Sequence, residues 1–125
     1  MNRVGQVLQI GTTSNNYTWV GDPIYSGNGR PGVGWGDPIV GADKCIYWPP
    51  SFANRVLKFD PETQQLPSLV GDDLGDGDFK WVGGALATAD GAIYCIPYCS
   101  NHILVIDSFK ELSIIRRQHL SYHTK

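Results

Sequence analysis

A chain of 125 residues that is 42% hydrophobic and 18% charged suits one domain with a modest core, and its 15 glycines and 8 prolines interrupt it too often for long helices. A formal charge of −2 excludes the basic field through which proteins hold phosphate backbones, so nucleic acid is not an expected partner. There is no apolar run of the ~18 residues that cross a bilayer, Met1 to Gly11 lacks the apolar core of a leader, and Cys45, Cys95 and Cys99 are an odd, sparse set; a soluble, cytoplasmic protein with reduced thiols and no membrane partner is expected.

In chain order, short apolar and β-branched runs alternate with Gly, Pro, Asn and Asp clusters, the pattern of short strands and tight turns. The first run is Val7-Leu8-Gln9-Ile10, and a second leads into Val20-Gly21-Asp22. After Trp35 come Ile39, a turn at Asp43-Lys44, a run from Ile46 to Trp48, the loop Pro49 to Asn54, and a run from Val56 to Phe59. Leu66 to Val70 reads as a strand, followed by the acidic loop Asp72 to Asp78. The last third predicts strands at Trp81 to Ala87, Ala92 to Ile96 and His102 to Ile106, with the turn Thr88-Ala89-Asp90-Gly91 and the loop Pro97 to Asn101 between them. Asp-Gly between apolar runs is a specific hairpin signal because glycine readily takes the positive φ such turns need, whereas Lys44 meets a steric cost there. Leu112 to Leu120 has room for one more strand, and the basic run Arg116, Arg117, His119, His123 and Lys125 reads as a solvated tail.

These runs recur. At a constant offset of 47 positions Ile46-Tyr47-Trp48-Pro49-Pro50 falls on Ile93-Tyr94-Cys95-Ile96-Pro97, and Asn54 to Asp60 falls on Asn101 to Asp107. The same offset pairs Gly36 with Gly83, Ile39 with Leu86 and Asp43 with Asp90. Val7 to Ile10 matches Val56 to Phe59, and Val20-Gly21-Asp22 matches Val70-Gly71-Asp72, so the chain opens in mid-unit. The division expected is a partial unit over 1–34, full units over 35–80 and 81–120, and a tail over 121–125.

Four short strands per unit with no helical period predict an all-β fold of antiparallel four-stranded blades, incomplete within one chain. The strings Trp81 to Leu86, Asp90 to Tyr94 and Ile103 to Asp107 resemble blades of the broad β-propeller group that includes NHL-type, lactonase-type and kelch-type proteins, although kelch places its glycine pair after the second strand and Gly83-Gly84 lies in the first. The unit length is also similar to the lectin propeller of the tachylectin type. About two and a half units leave apolar faces uncovered, which points either to several copies closing a ring or to a piece of a larger propeller.

In such a meander the second-to-third-strand loops and the unit-joining loops, Asp22 to Gly34 and Asp72 to Asp78, open at one end of the sheets. Trp48, Phe52, Asn54, Tyr98 and Asn101 are therefore the candidate contacts for a protein, small-molecule or glycan ligand. Asn54 and Asn101 share one position and are equally read as capping their turns on local backbone. Trp19, Trp35 and Trp81 read as packing residues at unit boundaries, and Trp48 as the tryptophan to test for stacking. Asp72, Asp73, Asp76 and Asp78 are similar to a calcium loop, but Leu74 and Lys80 break the EF-hand register, so a solvated turn is preferred and no cofactor is assigned. Cys95, Cys99 and His102 lack the paired spacing of a zinc site, and no Gly-x-Ser-x-Gly elbow is present. A non-enzymatic binding or interaction module is the first expectation. The alternatives are a fragment of a metal-dependent lactonase- or esterase-like hydrolase, as the resemblance implies, and a carbohydrate-binding propeller.

Overall fold

The computed structural model describes residues 7–11, 13–14, 16–20, 34–63, 66–87 and 89–108, and the backbone of 114–119. The expected joining loop Asp22 to Gly34, all but its last residue, the tail over 121–125 and the side chains of the basic run lie outside the described residues. The described residues are all-β, and none of their elements is a helix long and apolar enough to cross a membrane.

Among the described residues ten antiparallel strands form three sheets. β1 (Val7–Ile10) and β2 (Tyr17–Val20) make a hairpin; β3 (Ile39–Val40), β4 (Ile46–Trp48), β5 (Val56–Phe59) and β6 (Ser68–Val70) make the first four-stranded meander; β7 (Ala85–Leu86), β8 (Ala92–Cys95), β9 (His102–Asp107) and β10 (Ile114–His119) make the second. The final strand expected between Leu112 and Leu120 is β10, paired along its whole length with β9.

Local chemistry sets these boundaries. The run expected from Leu66 begins as a strand only at Ser68, because Pro67 has no N–H to give a ladder. The long run expected from Trp81 is a strand only over Ala85–Leu86: Trp81 makes a single bridge to Pro97, and Val82 gives its carbonyl to Asp37 N–H of the first sheet at 2.8 Å. The turns before β4 and β8 share one construction. Asp43 Oδ1 accepts Cys45 N–H at 3.0 Å and its Oδ2 accepts the Tyr47 hydroxyl at 2.6 Å, while Asp90 does the same with Ala92 N–H at 2.9 Å and Tyr94 at 2.6 Å. Each turn ends on a left-handed residue, Lys44 at φ 67° and Gly91 at φ 74°.

The gapless offset of 47 holds from Asp43 onward but fails before it. Trp35 bridges Pro50 as Trp81 bridges Pro97, and Ile39 pairs with Tyr47 as Ala85 pairs with Tyr94. The counterpart of Gly36 is therefore Val82, not Gly83, and that of Ile39 is Ala85, not Leu86. The extra residue lies in the turn, since Gly41 N–H reaches Cys45 O across three residues and Ala87 N–H reaches Ala92 O across four. A turn absorbs such an insertion more cheaply than a paired strand, where a one-residue slip would reverse every side chain.

Cross-strand partners share a face, which defines a front and a back for each sheet. The front of the first sheet carries Ile39, Tyr47, Val56 and Val70; these join Cys45 and Leu74 in one core cluster with Trp81, Leu86, Ile93, Cys95, Leu104 and Ile106 of the second. By strand register, Leu86, Ile93 and Cys95 are counterparts of Val40, Ile46 and Trp48, which lie on the back of the first sheet. The sheets thus stack front to back. Backbone bonds stitch this seam: Trp81 N–H to Pro50 O at 3.4 Å, Lys80 N–H to Ser51 O at 3.2 Å and Leu74 N–H to Asn54 O at 2.7 Å, with Ala42 N–H donating to Ser108 Oγ at 2.9 Å.

Candidate functional site

The β4–β5 loop, the segment joining β6 to β7 and the β8–β9 loop emerge at the same end of the two sheets. Their aromatic side chains meet there. Phe52 of the first loop and Phe79 of the joining segment pack edge to face with centroids 4.6 Å apart, and Phe79 meets Tyr98 of the last loop at 6.2 Å in the same manner, a favoured geometry for aromatic quadrupoles. Phe52 is half-buried, but Phe79 is 43% and Tyr98 70% exposed. Phe79 also holds a left-handed backbone at φ 49°, a conformation that costs a non-glycine residue about 1–3 kcal/mol.

Beside this row the acidic loop closes on the first sheet. Asn54 Nδ2 donates to Asp76 Oδ1 at 2.7 Å and Asp73 Oδ2 at 3.4 Å. Asn54 therefore ties its loop to carboxylates some twenty positions away and does not cap its own turn on local backbone, as its position had suggested; its Oδ1 is buried without a partner. In the other loop Ser100 supplies the cap, its Oγ accepting His102 N–H at 3.1 Å, and Asn101 is exposed. Lys80 is almost wholly buried, and its ammonium donates to Gly77 O at 2.7 Å and Ser51 O at 3.2 Å. Burial lowers its pKa from the usual 10.5, opposed by the negative charge of Asp76, Asp78 and Asp73. The loop's charge thus has a local use as a counterion for a buried cation. Leu74, the residue that breaks the calcium register, is buried in the core cluster.

Among the described residues no three His, Cys, Asp or Glu side chains converge in a way that would hold a metal ion. Cys95 is fully buried in the core, where desolvation pushes its thiol up to about 12, while Cys99 is exposed. Trp48, the tryptophan singled out for stacking, ends β4, paired with Leu57 and half-buried on the back of the sheet, so it stands apart from the aromatic row. Trp35 and Trp81 act as the expected packing residues: each indole Nε1 donates at 2.8 Å to a carbonyl at the start of the third strand of its sheet, Arg55 just before β5 and His102 the first residue of β9.

Of the five predicted contacts the structure brings Phe52 and Tyr98 together through Phe79. Sequence reasoning passed over Phe79 and treated Lys80 only as a break in a calcium motif. The available signal was the string Asp78-Phe79-Lys80-Trp81, in which an aromatic residue follows an acidic glycine-rich turn where only polar residues were needed. No protein-family model, no curated protein and no solved structure matches the chain.

Proposed function

We propose that the two meanders are blades of a partial β-propeller and that the chain is a non-catalytic binding module, taking a protein or glycan ligand at the loop end of its sheets. The observation that carries this reading is the aromatic row Phe52, Phe79 and Tyr98, contributed by three separate loops and left largely open to solvent. An exposed aromatic face held in strained backbone, with the carboxylates of Asp73 and Asp76 and the amide of Asn101 nearby in sequence or space, offers stacking surface and polar contacts together. A ligand with flat apolar faces, such as a sugar ring or an aromatic or aliphatic peptide side chain, suits that chemistry.

Two variants test the reading. Phe79→Gly removes the ring while relieving the left-handed backbone, and Tyr98→Ala removes an exposed ring; both should keep the fold. Wild type screened against a glycan array and an immobilised peptide library should retain one class of ligand, and both variants should lose at least tenfold in affinity for it. Equal binding by wild type and variants, or no retention of either class, overturns the proposal.

A further inference from the structure

The seam between the two sheets shows what a front face looks like when it is covered, and the second sheet offers the same face uncovered. Tyr47, Pro49, Pro50 and Ser51 of the first front are all less than 2% exposed beneath the second sheet. Their counterparts Tyr94, Ile96, Pro97 and Tyr98 line an open cleft of about 590 Å³ together with Gly84 and Ala85, and there Ile96 is 66% exposed. Farther along that front Val105 is fully buried and Ile103 half-buried. The back of the first sheet is open over the matching half: Leu57 and Phe59 of β5 are buried, whereas Val40 of β3 is 56% exposed and Ile46 and Trp48 are half-buried. Val40, Ile46 and Trp48 are the counterparts of Leu86, Ile93 and Cys95, the side chains that already cover a front of this kind.

We infer that a second copy of this chain docks head to tail, its β3–β4 back seated in the cleft beside β7 and β8. The internal seam supplies the bonding pattern. Where Asp37 N–H meets Val82 O and Trp81 N–H meets Pro50 O, the joint between copies would pair Gly83 N–H with Gly36 O of the second copy and Trp35 N–H of that copy with Pro97 O. Two latches of the internal seam have no equivalent, because Gly34 stands at the position of Lys80 and Pro61 at that of Ser108. The joint between copies is accordingly weaker than the internal seam, and assembly depends on concentration. Joined front to back, it uses different surfaces on the two copies, so it extends to a ring or a filament.

The test is the mass of the full chain in solution against concentration, by light scattering and sedimentation. Wild type should move from 13.7 kDa toward a multiple of that mass as concentration rises. Ile96→Lys, in the cleft, and Val40→Lys, on the opposite face, should each remain monomeric, while Leu66→Lys, an equally exposed apolar site on neither face, should assemble like wild type. Circular dichroism confirms that each variant is folded. An equimolar mixture of Ile96→Lys and Val40→Lys should recover a complex of two chains, because one copy keeps an intact back and the other an intact cleft. A wild type that stays monomeric, an Ile96→Lys or Val40→Lys chain that assembles unchanged, a Leu66→Lys chain that does not assemble, or a mixture that stays monomeric overturns the inference. None of these substitutions alters Phe52, Phe79 or Tyr98; because Tyr98 also lines the cleft, ligand binding is read on dilute, monomeric chain.

Discussion

Tyr47 and Tyr94 occupy the same place in two sheets built alike, each holding a carboxylate of its own turn at 2.6 Å, yet one is fully buried and the other is not. The difference lies in the neighbour. Strand pairing, turn geometry and the tyrosine–aspartate bond are local and recur in both sheets; burial is conferred by the next sheet in line, which the first front has and the second front lacks.

The sharpest way to break this comparison is at the paired tryptophans. Trp81 is fully buried in the shared core, and Trp81→Ala should cost about 3–5 kcal/mol, whereas half-buried Trp35 should cost less than half as much on urea denaturation. Equal losses would mean that the seam adds nothing to Trp81. A smaller contrast is expected at two glycines. A Cβ on Gly36 would lie 2.6 Å from the Val82 carbonyl group, so Gly36→Ala should destabilise by about 1–3 kcal/mol, while Gly83→Ala, whose Cβ would meet only Asp37 at 3.9 Å, should stay within about 0.5 kcal/mol. Smaller again is the hydroxyl itself. Tyr47→Phe should cost about 1–2 kcal/mol and Tyr94→Phe less than 1 kcal/mol, because the bond to aspartate is worth more where water is excluded.

A last contrast, confined to alkaline pH, concerns the thiols. Cys45 and Cys95 are pushed up from 9.0 to about 11 and about 12 by burial, with the Asp43 charge adding at Cys45. The unfolded chain therefore ionises these thiols first, and their share of stability, complete below pH 9, is lost as pH rises toward 11 and 12. Lys80 acts in the opposite sense, since its lowered pKa makes stability rise with pH up to 10.5. Urea midpoints across this range should fall for wild type and fall less for Cys95→Ala. Under native conditions near neutral pH one thiol, the exposed Cys99, should react quickly with a disulfide reagent, and all three should react in denaturant.

Much of this architecture was legible in the residues. Asp43 and Asp90 announce turns, the apolar runs around Tyr47, Val56, Tyr94 and Leu104 announce strands, and their spacing places the loops at one end. The letters misled where one amino acid served two purposes. Gly36 and Gly83 align by name, but Gly36 exists to let Val82 approach and Gly83 has open space around it, so the true register passes through Val82. Phe79 could have been suspected from the string around it, but its left-handed backbone at φ 49° could not. Asn54 looked like a local cap until the acidic loop folded back over it. Short-range chemistry is written in the string; which surfaces meet is decided by the stack.

The segment between Leu74 and Lys80 crosses the seam with both ends fastened to the first sheet, Leu74 through Asn54 and Lys80 through Ser51, while Gly75, Asp76 and Gly77 are exposed between them. Among the described residues the hydrophobic cluster is shared, taking Tyr47 and Val56 from one meander and Trp81, Ile93 and Leu104 from the side of the other. A protease cut between Gly75 and Asp76 should therefore leave one particle rather than two, and two separately expressed halves should find each other and restore it, which makes this loop a natural place to divide the chain into a complementing pair.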